Sequence, residues 1–319
     1  MPAISVIVCT HNPRPDYLHR VLRALDAQTL PKDCWDLLVV DNASDESLAD
    51  TWDLSWHPRA RHVREGTLGV TSARIRGITE SRGDLLVYVD DDTTLTPTFL
   101  KEASAIFHQY PYLGAFGAGS VEPEFDVLPP PEIRSHPQLL GVRSVSSARW
   151  SNNVEDSGSF PWGAGLCIRR QVADLYPRLV GSLRITAVLG RRGMERFSGE
   201  DDLFSWVAAS AGFGFGIFPQ LQVTHLIAAD RLNRRHLLRL IQDHAFSQSV
   251  LQYVLAGTQP ARIDSYRYVR LFLHAVRNGP FSMRCQWAAS HGEDRAARFI
   301  LEKALQQFEQ STLDMELGQ

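Results

Sequence analysis

The stretch "DLLVYVDDDTTL", residues 84–95, places an apolar run directly before three adjacent aspartates, Asp90, Asp91 and Asp92. The β-branched and aromatic run predicts a buried strand, and the acids predict that this strand ends at a polar edge. Three adjacent carboxylates repel one another, so the stretch is either a solvated acidic turn or a cation site. Both interpretations stay open from this stretch alone.

Apolar runs and helical spacing alternate along the first 110 residues. Such alternation predicts an α/β fold with a mostly parallel central sheet, flanking helices and ligands at the carboxyl ends of its strands. Residues 122–161 are rich in Pro and Ser and predict a long loop or flap, whereas residues 215–227 predict strands on either side of Pro219. The predicted strands are 3–10, 35–41 and 84–90, and the predicted helices are 14–29, 69–83 and 96–110.

Residues 231–319 predict a C-terminal helical region of three amphipathic helices, the second of which is "SYRYVRLFLHAVR", residues 265–277. We therefore expect two units, 1–230 and 231–319. A solvated helix face explains the arginines at helical spacing most simply, and contact with an anionic lipid at a membrane surface or with a diphosphate-linked acceptor is the alternative. These arginines are Arg231, Arg234, Arg235 and Arg239. The terminal helices also allow association with a partner or as a homo-oligomer.

The composition excludes several classes of protein. With 44% hydrophobic and 22% charged residues, the 319-residue chain is typical of a folded protein. A net charge of −3 argues against a nucleic-acid binder, and residues 231–319 carry 12 Lys and Arg against 8 Asp and Glu, which leaves residues 1–230 acidic. No apolar run of about 18 residues and no basic leader is present, which predicts a cytoplasmic protein. The four cysteines are scattered, which predicts reduced thiols.

Polar clusters follow three of the predicted strands. "CTHN" follows the first strand, Asp41 ends the second, and the three aspartates end a later one. Because the carboxyl ends of parallel strands meet at one edge, these clusters should converge. Thr10, Asp41, Asp90 and Arg74 supply the residue types that a nucleotide needs, and paired Asp oxygens suit Mg²⁺ or Mn²⁺.

Seven motifs between residues 4 and 227 together resemble the family 2 glycosyltransferases with the GT-A fold. The resemblance implies that residues 1–230 form a GT-A nucleotide-sugar-binding and catalytic domain. The motifs, in chain order, are "SVIVCTHN", "LLVVDNASDES", "LGVTSARIRGI", "LLVYVDDDTTL", "WGAGLCIRR", "SGEDDLF" and "FPQLQVTHL".

The resemblance implies a donor site for a nucleoside diphosphate sugar, with the nucleoside at the first two strand ends. Arg74 corresponds to a basic residue near the donor, Asp90 to the acid at the ribose, and Asp92 to a metal ligand. Asp91 is grouped with them without a role of its own. The implied donor-binding residues are Thr10, His11, Asn12, Asp41, Arg74, Asp90 and Asp91.

Glu200 and Asp201 correspond to the acidic pair that faces the acceptor in the family, and Asp201 is expected to accept the proton of the attacking hydroxyl. A charged helix N-terminus is the alternative for "GEDD" in isolation. Asp202 is expected to be a solvated neighbour. Leu203 departs from a common family form in which a further acid stands two places after the Asp, which leaves one acceptor contact in question.

Two further positions carry predictions with open alternatives. His225 ends an apolar strand and is predicted to complete the metal or pyrophosphate site, although a surface or core histidine has the same pattern. Trp162 offers an aromatic face to a sugar ring, and Gly163 allows close backbone approach. A core tryptophan beside a tight bend is the alternative.

We therefore expect an inverting, Mn²⁺- or Mg²⁺-dependent glycosyltransferase that uses a nucleoside diphosphate sugar, UDP-linked by preference. Its acceptor, a glycan, a lipid-linked molecule or a small molecule, is not identified by the sequence. A non-catalytic nucleotide-sugar-binding protein is one alternative. A nucleotidyltransferase is another, but "CTHNPRPDY" lacks the Gly and Lys of a phosphate loop.

Overall fold

A computed structural model describes residues 3–134, 137–182, 191–192, 195–196, 199–258, 273 and 279–317. The strands are β1 (Ile4–Thr10), β2 (Trp35–Asn42), β3 (Ala60–Glu65), β4 (Leu85–Asp90), β5 (Thr93–Leu95), β6 (Leu113–Phe125), β7 (Arg143–Ser144), β8 (Arg149–Ser151), β9 (Leu166–Arg169), β10 (Arg191–Arg192), β11 (Glu195–Arg196) and β12 (Gly214–Ile227). The α-helices are α1 (Pro15–Asp26), α2 (Leu48–Thr51), α3 (Val70–Glu80), α4 (Phe99–Gln109), α5 (Pro131–Arg134), α6 (Arg170–Ala173), α7 (Tyr176–Ser182), α8 (Asp202–Ser210), α9 (Arg234–Ala256) and α10 (Pro280–Leu317).

The central sheet has the strand order β3-β2-β1-β4-β9-β6-β12-β5. Strands β3, β2, β1 and β4 are parallel, as the alternation of strands and helices predicts. The other half is mixed, because the short β9 runs antiparallel between β4 and β6, while β12 pairs with β6 in parallel. The carboxyl ends of β1, β2 and β4 are therefore neighbours.

Both faces of the sheet are buried. Alternation along β1 sends Val6 and Val8 into one apolar cluster with α1 and α4, and sends Ile7 into a second cluster with residues of α3, α8 and α9. Full burial of each such side chain contributes about 1.5–3 kcal/mol, so the sheet is a rigid support for the loops at its edge.

Two sequence predictions about irregular segments differ from the structure. Residues 122–161 are only partly a loop, because β6 continues to Phe125 and the short β7 and β8 pair with β6 and β12. Pro219 does not separate two strands: β12 is one strand whose register shifts between Phe218 and Gln222.

The C-terminal helical region is present as α9 and α10, which pack against each other. Of the predicted helix at 265–277 only Leu273 is among the described residues, and the division at residue 230 stays a prediction. Within the described ranges, no helix combines the length and the hydropathy that crossing a bilayer requires.

Candidate active site

The predicted convergence of polar clusters at one sheet edge is confirmed. In the parallel register, Thr10 at the end of β1 lies opposite Asp41 at the end of β2, and Cys9 lies opposite Asp90 at the end of β4. The apolar bodies of these strands are buried, so the polar residues begin where the strands leave the core.

Asp41 is fixed by hydrogen bonds and an ion pair. Its carboxylate accepts hydrogen bonds from the Ser44 backbone N–H at 2.9 Å and from Arg64 Nη1 at 2.6 Å. Burial alone would raise the pKa of Asp41, but hydrogen bonds from Ser44 and the charge of Arg64 lower it below its ordinary value. Asp41 therefore shapes the turn after β2 as an ionised group.

His11 and Asn12 form the turn after β1. His11 Nδ1 lies 2.9 Å from the Asn42 carbonyl oxygen, and the Asn12 backbone N–H donates to Ser44 Oγ at 2.9 Å. Asn12 has a φ of 47°, in the left-handed region that Asn tolerates better than most residues. The structure thus joins the first two strand ends, as predicted for a nucleoside site.

The three adjacent aspartates have three different environments. Asp90 ends β4, while Asp91 and Asp92 lie in the turn before β5, so strand alternation does not set their directions. Asp91 Oδ2 accepts a hydrogen bond from Thr10 Oγ1. Burial, followed by the charge of Asp92, raises the pKa of Asp91 to about 7.

Asp92 lies beside His225 and Arg231. Its Oδ2 is 2.8 Å from Arg231 Nη1 and 3.5 Å from His225 Nε2, and the Leu226 backbone N–H donates to the Asp92 carbonyl oxygen at 2.8 Å. Burial opposes ionisation of Asp92, but His225 and Arg231 lower its pKa to about 2. Arg231 lies in a short 3₁₀-helix, Ala229–Arg231, before α9 and pairs with Asp92, so its prediction as part of a solvated helix face is wrong.

The donor atoms of Asp92 and His225 fit a divalent cation. His225 Nδ1 lies 2.9 Å from the Leu140 carbonyl oxygen, which only accepts, so Nδ1 carries a proton, and Nε2 lies 3.5 Å from Asp92 Oδ2. Among the described residues, no group of three or more His, Cys, Asp or Glu side chains is suited to a metal. Two protein ligands still suit Mg²⁺ or Mn²⁺ when phosphate oxygens supply the other positions.

Gly163 is the meeting point of Arg74, Asp90 and Asp201. A Cβ placed on Gly163 would lie 2.8 Å from Arg74 Nη2, 3.6 Å from Asp90 Oδ2 and 3.7 Å from Asp201 Oδ2. Arg74 is buried, with 4% exposure, and its carbonyl oxygen accepts a hydrogen bond from the Tyr88 hydroxyl at 3.0 Å. Burial opposes the charge of Arg74, but Glu200, Asp201 and Asp90 raise its pKa.

Asp201 caps the N-terminus of α8. Its Oδ2 accepts the Gly163 backbone N–H at 2.8 Å, and its Oδ1 accepts the Asp202 backbone N–H at 3.2 Å. The preceding Glu200 is buried, and its carbonyl oxygen accepts a hydrogen bond from the Tyr176 hydroxyl at 3.3 Å. The helix N-terminus that the sequence offered as an alternative is therefore real, and it orients Asp201 toward the same point as Arg74.

Asp202 is not the solvated neighbour that the sequence predicts. Its Oδ2 accepts a hydrogen bond from Gln248 Nε2 on α9 at 2.7 Å. Burial, followed by the charge of Asp201, raises the pKa of Asp202 to about 7, whereas the bond from Gln248 opposes this rise.

Trp162 is half-buried beside the same glycine. The Arg143 guanidinium carbon lies 3.5 Å from the centre of the Trp162 ring, and Arg143 Nη1 donates to the Phe160 carbonyl oxygen at 2.8 Å. Burial lowers the pKa of Arg143 to about 10. One face of the ring is thus covered by a cation.

Sequence reasoning missed three side chains near the site, Arg143, Arg231 and Gln248. Only the excess of basic residues after residue 230 hinted that the C-terminal region supplies charge to an acidic edge.

Residues 5–154 match the sequence profile of Glycosyl transferase family 2. Glycosyltransferase AglE of Haloferax volcanii is 30% identical over 95 residues, which cover 29% of this chain and 31% of AglE. The chain thus spans less than a third of the length of this curated relative.

Solved structures provide the comparison of folds. Mannosyltransferase PcManGT from Pyrobaculum calidifontis, solved with GDP-Man and Mn²⁺, gives a TM-score of 0.53 at 16% identity, over 96% of this chain and 81% of that chain. TarS 1-349 of S. aureus gives a TM-score of 0.47 at 15% identity, over 96% of this chain and 92% of that chain. Through residues 5–154 the chain is therefore similar to glycosyl transferase family 2, and its α/β fold is of the GT-A type.

Proposed function

We propose that the protein is an inverting glycosyltransferase that moves a sugar from a nucleoside diphosphate sugar, UDP-linked by preference, to an acceptor hydroxyl. The observation that carries the proposal is the convergence of Arg74, Asp90 and Asp201 around Gly163. A basic group for the donor and a carboxylate for the acceptor proton then both lie next to Gly163. The family match supports the reaction class.

The proton acceptor is Asp201. Transfer with inversion forms a bond between the acceptor oxygen and the anomeric carbon while the bond from that carbon to the diphosphate breaks. The hydroxyl proton must therefore leave, and a positioned carboxylate that accepts it contributes about 10²–10⁴-fold to the rate. The Gly163 N–H donates to Asp201 Oδ2 and orients it. The second lone pair of this oxygen stays available to accept the proton of the acceptor hydroxyl.

Arg74 and the first two strand ends bind the donor. Among the described residues, Arg74 Nη1 is buried without a hydrogen-bond partner, so a donor oxygen would satisfy it. Thr10, His11, Asn12 and Asp41 border the nucleoside, as the turns after β1 and β2 suggest.

Asp92 and His225 would hold a divalent cation, Mn²⁺ or Mg²⁺. Such an ion offsets the negative charge on the leaving diphosphate. PcManGT was solved with GDP-Man and Mn²⁺, which supports both the donor class and the ion.

The test is a panel of UDP- and GDP-sugars, screened by thermal shift with and without Mn²⁺. The donor that stabilises the protein is then used to assay transfer or slow hydrolysis, and NMR of the product reports its anomeric configuration. Asp201→Asn should bind this donor normally and lose at least about 10²-fold in turnover. Asp84→Asn, an exposed aspartate before β4, is the matched control.

The outcomes separate the proposal from its alternative. Normal turnover by Asp201→Asn contradicts its role as base. Donor binding without turnover by the unmodified protein favours a non-catalytic nucleotide-sugar-binding protein. A cytoplasmic location, membrane-surface contact and self-association stay predictions.

A further inference from the structure

The hydrogen bond between Gln248 and Asp202 connects the C-terminal helical region to the candidate base. Asp202 is the first residue of α8 and follows Asp201 directly, while Gln248 lies in the second half of α9. The Gln248 Nε2 donates to Asp202 Oδ2 at 2.7 Å. A neutral amide from a distant helix therefore meets a carboxylate next to Asp201.

The turn that carries Asp201 is packed tightly against α9. Gly199 has a φ of 107°, and a Cβ on it would lie 2.5 Å from Leu251 Cδ1, 3.6 Å from Asp202 Oδ2 and 3.9 Å from Gln248 Nε2. Leu251 is itself buried in the core cluster that includes Phe204 of α8. The backbone of this turn therefore lies directly against the face of α9 that carries Gln248 and Leu251.

Asp201 and Asp202 also share a backbone contact. The Asp202 N–H donates to Asp201 Oδ1, so a movement of Asp202 would move the cap of α8. The two carboxylates are adjacent in the chain and carry like charges, and the charge of Asp201 raises the pKa of Asp202. The charged groups that act on Asp202 are Asp201, Glu200 and Arg143, and His244 of α9 is a further titratable group near Asp201.

We propose that Gln248 is a positioning residue that keeps Asp202 ionised and turned toward α9, so that the charge of Asp202 strengthens Asp201 as a base. This inference rests on the proposed function, because it takes Asp201 as the proton acceptor. It gives the C-terminal helical region a part in the reaction, because α9 supplies the hydrogen-bond donor that stabilises the Asp202 carboxylate. The amide donates this hydrogen bond without adding a charge to those of Arg74 and Arg143.

The sign of the expected pH effect follows from the hydrogen bond. The hydrogen bond from Gln248 stabilises the ionised form of Asp202, so removal of this amide raises the pKa of Asp202 above about 7. In Gln248→Leu the rise of turnover with pH should therefore move to higher pH. Turnover should fall about tenfold at pH 7, as loss of one hydrogen bond to a charged group implies.

The experiment measures turnover of the donor found in the screen from pH 5.5 to pH 9 for Gln248→Leu. Recovery toward the unmodified rate at high pH supports the proposal, whereas a loss of equal size at every pH overturns it. Gln252→Leu, an exposed position one turn later in α9, is the matched control and should behave as the unmodified protein.

Asp202→Asn tests the same coupling without any change in α9. Asp202→Asn should lower turnover and abolish the rise of turnover with pH near pH 7. The double variant with Gln248→Leu should lose no further activity. Additive losses would overturn the proposal.

A ¹³C titration of the Asp202 carboxyl gives a readout that does not need turnover. An upward shift of its pKa in Gln248→Leu supports the coupling even if the proposed function fails, which would show as no turnover of any donor. An unchanged titration overturns the inference alone.

Discussion

Gly163→Ala tests whether the space shared by Arg74, Asp90 and Asp201 is the reaction site. The added Cβ would lie 2.8 Å from Arg74 Nη2, against an ordinary contact of 3.4 Å or more, so one group must move by about 0.6 Å. Gly163 does not have a positive φ, so alanine adopts its backbone conformation without strain and only the methyl group perturbs the site.

The displaced group is Arg74 or the loop of Gly163. Arg74 is 4% exposed and cannot retreat into solvent, so overpacking should cost about 1–3 kcal/mol of unfolding free energy. A misplacement of about 1 Å can cost about 10²-fold in rate, so a shift of about 0.6 Å should lower turnover by roughly 10- to 100-fold. Donor binding should weaken as well, because Arg74 faces the donor in the proposed complex.

The assay compares Gly163→Ala with Gly181→Ala. A Cβ on Gly181 meets nothing within 4 Å, and Gly181 lies in α7, so its replacement should raise stability by about 0.5–1 kcal/mol. Thermal unfolding, donor titration and turnover are measured for both variants. Unmodified turnover and donor affinity in Gly163→Ala would refute the placement of the reaction beside Gly163.

Three further predictions concern the acidic residues of the edge. Arg231→Gln removes the cation at Asp92 and should strengthen Mn²⁺ binding without donor about tenfold, measured by the EPR signal of free Mn²⁺; weaker binding would mean that Arg231 organises the site. Asp41→Asn should reduce the loss of unfolding free energy at acid pH. The lowered pKa of Asp41 contributes stability that is present above its ordinary value of 3.8 and is lost as the pH falls below it. An unchanged pH dependence of unfolding would argue against this contribution. Asp91→Asn should bind donor nearly normally because an amide oxygen still accepts from Thr10, whereas Asp92→Asn should lose the Mn²⁺-dependent part of donor binding in calorimetry; equal losses would contradict these unequal roles.

Local patterns predicted the first half of the fold well. The helical spacing of Leu18, Val21, Leu22 and Leu25 corresponds to the buried face of α1, and continuous apolar runs correspond to β1, β2 and β4. The convergence of Thr10, Asp41 and Asp90 followed from the geometry of parallel strands alone. These inferences need only neighbours in sequence, which is why they succeeded.

Contacts between distant segments were not accessible to the same reasoning. Strand β9 has only four residues, Leu166–Arg169, and its antiparallel position between β4 and β6 depends on pairing partners far along the chain. The contact of Arg231 with Asp92 joins positions 139 residues apart. Helical spacing could assign Arg231 to a helix face but could not find the turn that directs it back to the sheet edge.

The two contacts from beyond residue 230 differ in charge, and the difference matches the chemistry proposed for each carboxylate. Asp92 receives a cation, Arg231, at the position where a divalent ion is expected, so the protein holds positive charge there before any ion arrives. Asp202 receives a neutral amide, Gln248, which adds no further cation to the Arg74 that already lies near Asp201. The part of the chain beyond residue 230 thus adds a positive charge at Asp92 and an uncharged hydrogen-bond donor at Asp202.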